Sequence, residues 1–309
     1  MSARRIACLL PSATEIVCAL GLREALVGIS HECDFPPDVV GLPVLTEARI
    51  DPRRDSATID AEVRALVRDG LSVYRIHTER LESLQPDLIV TQQQCEVCAV
   101  SYREVEEAAR AVLGYDCPIV SLEPMVLDDI QRDIARVAVA AGVGERAESL
   151  TTALRGRLER IVVRCAGVRY RPRVACIEWL DPLMAAGNWV PEMIELCGGR
   201  SDLAARGEHS RTLSWDQLVA YDPEVLVLMP CGFPIAQTLA ELPHLQQRPE
   251  WRKLLAVQQG RAFVADGNAY FNRPGPRIVD SAELLAGLIH PGLFAAGIPA
   301  ASYVRVSDD

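Results

Sequence analysis

Two stretches of the sequence decide the fold class: Leu81-Glu-Ser-Leu-Gln-Pro-Asp-Leu-Ile-Val90 and Leu218-Val-Ala-Tyr-Asp-Pro-Glu-Val-Leu-Val227. Each combines the end of a helix, a turn marked by proline and an apolar strand. A cysteine follows each copy within a few residues, Cys95 in the first half and Cys231 in the second. The match predicts two lobes of common architecture, although ordinary turn chemistry between a helix and a strand accounts for part of it.

Apolar runs and helical segments alternate around these stretches. The predicted strands are 5–10, 26–30, 87–91, 119–122, 174–179 and 225–229. Ser12-Ala-Thr-Glu15 has the capping-box pattern, which predicts that a helix follows the first strand. Strands that alternate with helices through short loops predict parallel sheets with right-handed crossovers.

A long helical stretch separates the two halves. Residues 126–165 are rich in Ala, Leu, Arg and Glu, and the pattern is interrupted only around Gly142-Val-Gly144. We therefore predict an α/β fold with two lobes, each with a mainly parallel sheet, joined by a long connecting helix. The predicted N-terminal lobe is 1–125, the connecting helix is 126–170 and the C-terminal lobe is 171–309.

Composition excludes some classes of protein. The chain has 309 residues, of which 49% are hydrophobic and 24% charged, so it is predicted to be folded and to form two domains. Its net charge of −10 opposes binding to phosphate backbones, and we expect no nucleic-acid partner. No run reaches the roughly 18 to 20 apolar residues that span a bilayer, and we expect no membrane insertion.

The first residues and the cysteines predict a cytoplasmic protein. Arg4 and Arg5 precede the apolar run 6–10, but Pro11 and Glu15 interrupt the pattern of a signal peptide. Neither Cys8 nor Cys18 follows the small-residue pattern of a lipoprotein signal. Ten irregularly spaced cysteines are typical of free thiols in a reducing compartment.

Ligands of open parallel sheets bind at the carboxyl ends of the strands, so the loops that follow the predicted strands are the candidate binding loops. These loops contain aromatic rings and amides, which suit a large, flat and partly polar ligand. The candidate ligand-binding residues are Pro11, Ser12, His31, Gln94, Trp179, Trp189, Cys231, Phe233, Asn268, Tyr270, Phe271 and Arg273. Trp179 and Trp189 are more typical of a hydrophobic core, and Trp189 is the first candidate of the two because Asn188 and Pro191 beside it indicate a loop. Arg273 is equally typical of a surface ion pair.

Two neighbouring loops offer soft metal ligands. His31, Cys33, Cys95 and Cys98 together match the ligand types that zinc or iron accepts. The Cys95-x-x-Cys98 pair also suits thiol redox chemistry or a purely structural role. His31 is interpreted either as a ligand of a bound metal or as a cap for nearby backbone groups.

No motif of an enzyme is present in the sequence: there is no phosphate-binding glycine loop, nucleophile elbow or zinc-protease helix. We therefore predict a ligand-binding protein rather than an enzyme. The alternative is a cytosolic metal-binding or thiol-redox protein, possibly an enzyme, that uses the loops of His31/Cys33 and Cys95/Cys98.

Several blocks resemble the helical-backbone (class III) periplasmic substrate-binding proteins for cobalamin and iron chelates. The general resemblance lies in Leu9-Leu-Pro-Ser-Ala-Thr-Glu-Ile16 and the first matching stretch. Other blocks are similar to the branch labelled cobalamin-binding: His31-Glu-Cys-Asp34, Gln94-Cys-Glu-Val-Cys-Ala-Val-Ser101, Glu178-Trp-Leu-Asp-Pro182 and Gly267-Asn-Ala-Tyr-Phe-Asn-Arg-Pro-Gly-Pro276. The resemblance covers about residues 5–290.

This resemblance implies two α/β lobes joined by one long helix, with cobalamin, a related corrinoid or another metal chelate held in the cleft between the lobes. Importer-linked members of the family are exported or lipid-anchored, and they dock on a membrane permease through acidic residues. Glu47 and Asp216 are the corresponding candidates by position. The predicted cytoplasmic location, however, implies that docking on a permease is not a task of this chain.

Overall fold

The computed structural model describes residues 4–69, 71–92, 102–294, 299 and 301–306. The chain divides into two compact units, which are described separately. Unit 1 contains Met1–Pro52, Ala61–Pro124 and Asp128–Ala153. Unit 2 contains Arg53–Asp60, Met125–Leu127 and Leu154–Asp309. A short segment from the first half of the chain, Arg53–Asp60, thus belongs to the second unit.

The first half of the chain alternates short strands with helices. The strands are β1 (Ile6–Cys8), β2 (Leu26–Ile29), β3 (Thr46–Ala48), β4 (Tyr74–Ile76), β5 (Leu88–Gln92) and β6 (Ile119–Leu122). The helices are α1 (Pro11–Ala19), α2 (Ser56–Arg68), α3 (Thr78–Leu84), α4 (Tyr102–Val112) and α5 (Leu127–Ala140). Single 3₁₀ turns lie at Arg23–Ala25 and Pro37–Val39.

The main sheet of unit 1 has the order β2–β1–β5–β6, and every pair in it is parallel. Its two central strands, β1 and β5, are buried on both faces, as expected of a parallel sheet covered by helices. Because all four strands run the same way, their carboxyl ends lie at one edge. The antiparallel pair of β3 and β4 was not predicted from the sequence.

Helix α1 begins two residues earlier than the capping-box pattern predicted. Pro11 occupies its first turn and Leu10 is its N-cap, without a side-chain hydrogen bond. Proline is favoured at this position because its missing N–H would have no partner in the first turn. Ser12 therefore lies inside the helix, and the predicted capping box is wrong.

The predicted connector consists of two helices, α5 and α6 (Gly144–Cys165). Gly142 has a φ of +77° and ends α5. Its N–H donates to the Val139 oxygen at 3.0 Å, and the Val143 N–H donates to the Ala138 oxygen at 2.8 Å. These two bonds form a Schellman motif, which requires a left-handed residue at this position. The domain limits predicted at residues 125 and 170 stay a prediction.

The second half of the chain begins its own series of elements after α6. The strands are β7 (Val174–Leu180), β8 (Leu183–Ala185), β9 (Arg211–Thr212), β10 (Val225–Leu228), β11 (Ala262–Ala265) and β12 (Tyr303–Arg305). The helices are α7 (Val190–Leu196), α8 (Trp215–Tyr221), α9 (Ile235–Gln246), α10 (Leu255–Gln258), α11 (Ile278–Ile289) and α12 (Pro291–Phe294). A 3₁₀ turn lies at Trp251–Lys253.

The sheet of unit 2 has the order β12–β11–β10–β7–β8–β9. Its three central strands, β11, β10 and β7, are parallel, and the others pair antiparallel at the two sides. The core under this sheet is aliphatic and includes the fully buried Trp251. The predicted α/β class with mainly parallel sheets is confirmed, but the hairpin of β7 and β8 was missed.

The two matching stretches adopt the same local structure in their respective units. Helix α3 ends in Gln85, with a φ of 42°, and α8 ends in Asp222, with a φ of 49°. Proline follows both left-handed caps, as Pro86 and Pro223, and a strand begins two residues later. A left-handed cap followed by proline stops a helix abruptly, which explains why the two sequences are alike.

The acid after each proline joins the turn to a neighbouring strand. The Asp87 carboxylate accepts a hydrogen bond from the Arg5 N–H at 3.1 Å, just before β1. The Glu224 carboxylate accepts one from the Arg173 N–H at 3.0 Å, just before β7. In both units this bond connects the turn to the strand beside it in the sheet.

Among the residues that the structure describes, no helix combines the length and the apolar character needed to cross a membrane.

Candidate functional site

His31 follows β2 at the carboxyl edge of the unit 1 sheet, and its ring orientation is set by Thr46. The Thr46 hydroxyl lies 2.8 Å from His31 Nδ1 and 3.1 Å from the His31 backbone nitrogen. That hydroxyl donates its proton to Ser30 Oγ at 3.2 Å. Because its only proton is used there, the Thr46 oxygen accepts from Nδ1–H, and the neutral ring carries its lone pair on Nε2.

The surroundings of His31 favour the neutral ring. Burial lowers the pKa of His31, and the nearby His77 lowers it further, whereas Glu47 opposes the shift. The Glu47 carboxylate is itself engaged by Arg75 and by His77 Nε2, the latter at 3.6 Å. The Tyr74 ring packs at 5.3 Å from the His31 ring. His31 is thus a half-buried, oriented imidazole that can act as a ligand through Nε2.

Only two of the four predicted metal ligands, His31 and Cys33, lie within the described residues. Cys33 is buried, and its sulfur lies 3.1 Å from the Thr14 hydroxyl. Cys95 and Cys98, as well as the predicted ligand contact Gln94, lie outside the described residues. Within the described ranges, no group of three His, Cys, Asp or Glu side chains is arranged to hold a metal ion. Because that search does not include Cys95 and Cys98, a zinc or iron site at the four predicted residues stays a prediction.

Pro11 and Ser12 begin α1 at the same edge of the unit 1 sheet. Pro11 is half-buried, whereas Ser12 is 1% exposed. The Ser12 hydroxyl has no hydrogen-bond partner in the described part of the chain. Contact of these two residues with a ligand stays a prediction.

In unit 2, the loops after β7, β10 and β11 are joined by backbone hydrogen bonds. The Cys231 N–H donates to the Glu178 oxygen at 3.0 Å, and the Asn268 N–H donates to the Phe233 oxygen at 3.1 Å. The rings of Trp179 and Phe233 meet edge to face at 5.3 Å. Because β7, β10 and β11 are parallel, these residues form one continuous surface at the carboxyl edge of the sheet.

The exposure of these side chains differs. Trp179, Cys231, Asn268 and Tyr270 are half-buried and present part of their surface at this edge. Phe233 is only 2% exposed and supports Trp179 from below. A half-exposed indole beside an amide is a suitable platform for a flat ligand with polar substituents.

The loop after β11 is held rigidly by its own side chains. The Asp266 carboxylate accepts from the Asn268 and Ala269 N–H groups at 3.0 and 2.9 Å. The Asn272 side chain donates to the Met229 and Gly267 carbonyl oxygens at 3.0 and 2.9 Å. These bonds fix the loop against the end of β10 and hold Asn268 in a defined position.

Arg273 lies at the end of the same loop. It is 7% exposed, and its guanidinium donates to the Asn268 side-chain oxygen at 2.8 Å. The guanidinium is therefore buried and not on the surface. Contact of Arg273 with a ligand stays a prediction.

Trp189 and Phe271 are placed in the interior of unit 2. Trp189 is 5% exposed, Phe271 is 0% exposed, and the Trp189 indole N–H donates to the Phe271 oxygen at 2.8 Å. The sequence placed Trp189 in an exit loop of β7, whereas the chain turns back at Asp181–Pro182 into the antiparallel β8. Burial favours a packing role for both aromatic residues, and their contact with a ligand stays a prediction.

Ser56 and Glu241 are site residues that sequence reasoning missed. The Trp179 indole N–H donates to the Ser56 oxygen at 3.2 Å. The Ser56 N–H donates to Glu241 at 2.8 Å, and the Ser56 hydroxyl donates to the same carboxylate at 2.5 Å. Ser56 and Glu241 are 185 residues apart in the sequence, and no local pattern links them.

The cysteines that the structure describes are free, and most are buried. Burial raises the pKa of Cys176 to about 12 and holds the pKa values of Cys8 and Cys197 well above the ordinary range. A thiol that stays protonated at neutral pH is a poor nucleophile and a poor metal ligand. These three cysteines therefore act as small apolar core residues.

We expect Cys8, Cys176 and Cys197 to resist alkylation by iodoacetamide in the native protein at about pH 8, because their thiols are protonated and buried. Peptide mass spectrometry after labelling measures the modified fraction at each site. Unfolding in urea should expose all three to rapid labelling, and the half-buried Cys231 serves as the internal comparison. Equal labelling rates in native and unfolded protein would contradict the structural role.

The strands and helices of the two units and these edge loops define an α/β protein whose candidate ligand contacts lie at the carboxyl ends of parallel strands. The model of the periplasmic binding protein family matches residues 6–269, and the chain belongs to this family. The predicted resemblance is thereby confirmed. Members of the family are substrate-binding transport proteins and not enzymes.

Individual relatives are similar over nearly their full length. The vitamin B12-binding protein of Vibrio cholerae is 25% identical over 285 residues, which are 91% of this chain and 87% of the relative. The ABC transporter substrate-binding lipoprotein YvrC of Bacillus subtilis is 20% identical over 297 residues, 94% of this chain and 81% of the relative. The periplasmic heme-binding protein RhuT from Roseiflexus sp. RS-1, in apo form, superposes with a TM-score of 0.70 at 23% identity, covering 94% of this chain and 100% of that structure.

The predicted cytoplasmic location is wrong. The family consists of periplasmic binding proteins, and the Bacillus subtilis relative is a lipoprotein. The cysteine argument failed because buried, protonated thiols are stable core residues in any compartment, so their number does not report the location. The argument against docking on a permease depended on that location and falls with it.

Proposed function

We propose that this chain is the substrate-binding component of an ABC transporter and that it binds a corrinoid, such as cobalamin, or another metal chelate such as heme. The observation that carries the proposal is the His31 imidazole, whose Nδ1 is held by Thr46. The names of relatives that bind vitamin B12 or heme support the same class of ligand.

His31 suits an axial ligand of cobalt or iron. Imidazoles that bind metals usually donate their other ring N–H to a neighbouring oxygen, which fixes the tautomer and raises the basicity of the ligating nitrogen. Thr46 provides that oxygen at 2.8 Å. Cobalt and iron accept imidazole nitrogen readily, and a chelated metal with one exchangeable axial position needs only this single ligand from the protein.

The edge surface of unit 2 suits the periphery of a tetrapyrrole-like ring. Trp179 offers a half-exposed apolar face, and Asn268 and Tyr270 offer hydrogen-bonding groups to polar substituents. Burial raises the pKa of Tyr270, so its hydroxyl stays protonated and is able to donate. Rings with amide or carboxylate side chains match this combination.

Acidic residues for docking on a permease are part of the proposal. Asp216 lies exposed in the first turn of α8, whereas Glu47 is engaged by Arg75 and His77. Asp216 is therefore the better candidate of the two predicted from the sequence. The alternative of a cytosolic metal-binding or thiol-redox protein, possibly an enzyme, is not favoured, because the chain belongs to the periplasmic binding protein family.

The direct experiment is titration of the purified protein with aquocobalamin, cobinamide and hemin, followed by visible spectroscopy and calorimetry. Binding with a change in the visible bands of the chelate is the expected result, because His31 replaces an axial ligand of the metal. Absence of binding to all three chelates at high micromolar concentrations would refute the proposed function. Binding without spectral change would refute the axial role of His31 alone.

We expect the affinity for aquocobalamin to fall as the pH is lowered from about 8 to about 5, because protonated imidazole cannot ligate a metal. The pKa of His31 is lowered in the folded chain, so the unfolded chain binds the proton first. The contribution of His31 to stability is complete above its ordinary pKa of about 6.5 and is lost as the pH falls through the folded-state pKa. Calorimetric titrations with aquocobalamin across this pH range measure the change in affinity. His77→Ala should keep the pH dependence and His31→Ala should abolish it; the reverse pattern would contradict the assignment.

A further inference from the structure

Ser56 connects Glu241 to Trp179 within unit 2. It is the first residue of α2 and is completely buried. Its backbone N–H and its hydroxyl donate to the two carboxylate oxygens of Glu241, and its carbonyl oxygen accepts from the Trp179 indole. The three residues form a continuous chain of hydrogen bonds.

The carboxylate of Glu241 is well suited to hold Ser56. Hydrogen bonds to a charged acceptor are shorter and stronger than those between neutral groups. The acceptor also faces the N-terminal turn of α2, where a negative charge is favourable. A second contact from α9 supports the same segment, because the Gln237 side chain donates to the Arg54 oxygen at 3.0 Å. Helix α9 thus holds the segment 53–60 at two points.

Trp179 has two restraints on its ring orientation. The edge-to-face contact with Phe233 restrains one side, and the hydrogen bond to Ser56 fixes the direction of the indole N–H. The register of β7 against β8 shifts between Ile177 and Trp179. Irregularities of this kind re-aim a side chain at the end of a strand. The Ser56 carbonyl is thus the group that fixes the direction of the indole N–H.

We infer that Glu241 is a positioning residue for ligand binding, which orients the indole of Trp179 through Ser56. Glu241 is 62 positions from Trp179 in the sequence. The two residues are linked only indirectly in this hydrogen-bond chain, through Ser56. The inference rests on the proposed function, in which Trp179 is the apolar platform for the metal chelate. Its effect on binding comes from preorganisation, because a fixed side chain loses no rotamer freedom when the ligand arrives.

The test compares Glu241→Ala with Glu241→Gln and with a control, Glu159→Ala, an exposed glutamate of α6 in the same unit. Two readouts are needed: the indole N–H resonance of Trp179 in protein labelled with ¹⁵N-tryptophan, assigned with Trp179→Phe, and the affinity for aquocobalamin. We expect Glu241→Ala to shift that resonance without ligand and to weaken binding roughly 10-fold. Glu241→Gln keeps an acceptor for the Ser56 N–H and should restore most of the affinity, and the control should change neither readout.

An unchanged Trp179 resonance or an unchanged affinity in Glu241→Ala, with normal binding by the wild-type protein, would overturn the positioning role and leave the proposed function intact. Failure of the wild-type protein to bind any of the three chelates would overturn the proposed function and the positioning role with it. Should Glu241→Ala fail to fold, Ser56→Ala decides the question, because it removes one bond to Glu241 and keeps the carbonyl that Trp179 contacts. A Trp179 resonance that does not move in Ser56→Ala would likewise overturn the role.

Discussion

Replacing His31 with alanine should weaken the binding of aquocobalamin by roughly 100-fold or more, since loss of a neighbour that merely orients a metal ligand already costs 10- to 100-fold in metal affinity. The substitution removes the half-buried imidazole whose lone pair lies on Nε2. Visible spectra of the mixture should then match those of the free chelate. Calorimetry and spectral titration measure both effects.

Two further variants separate ligation from general disturbance. Thr46→Val removes the acceptor for His31 Nδ1–H and should weaken binding by roughly 10-fold or more while His31 is still present. His209→Ala replaces an exposed histidine and should bind like the wild-type protein. Wild-type affinity together with a wild-type spectrum in His31→Ala would show that the imidazole does not touch the metal.

Replacing Gly267 with alanine should lower the free energy of unfolding by about 3 kcal/mol, because the added methyl group meets backbone atoms that cannot rotate away. A Cβ at this position would lie 2.0 Å from the Pro230 oxygen and 2.8 Å from the carbonyl group of Met229. The loop after β11 must then separate from the end of β10, which moves Asn268 away from the edge surface. Urea denaturation measures the loss, and ligand affinity should fall with it.

The matched control is Gly292→Ala, where an added Cβ meets no heavy atom within 4 Å. Its stability should differ from that of the wild-type protein by less than about 0.5 kcal/mol, the usual range for surface substitutions. A Gly267→Ala protein as stable as this control would mean that β10 and the loop after β11 are not packed as closely as described.

Local sequence patterns were sufficient to predict the two matching stretches of helix, turn and strand. The turns at Gln85–Pro86 and Asp222–Pro223 have the conformations that proline and the preceding polar residue favour. The alternation of strands and helices was sufficient to place His31, Trp179 and Cys231 after parallel strands. These features depend on residues within a few positions of one another, so the sequence pattern contains them.

Other features depended on contacts that are distant in the sequence. The return of the chain from β7 into the antiparallel β8 was missed because it is decided by strand pairing, which leaves only a weak signal at Asp181–Pro182. The break between α5 and α6 was visible at Gly142, but a helical stretch interrupted by one glycine resembles a continuous helix. The quartet of His31, Cys33, Cys95 and Cys98 was inferred from residue types alone and stays a prediction, since Cys95 and Cys98 lie outside the described residues.

The amino-acid sequence by itself determined the α/β class, the two related halves and the loops that follow the parallel strands, because hydrophobic periodicity and turn chemistry act over short distances. Only the tertiary structure decided which nitrogen of His31 carries the lone pair, since that depends on the hydrogen bonds among Thr46 and Ser30. It also decided that Ser56 donates a hydrogen bond to Glu241 and accepts one from the Trp179 indole. Side-chain hydrogen bonds between distant segments arise only after the chain has folded, and no local pattern encodes them.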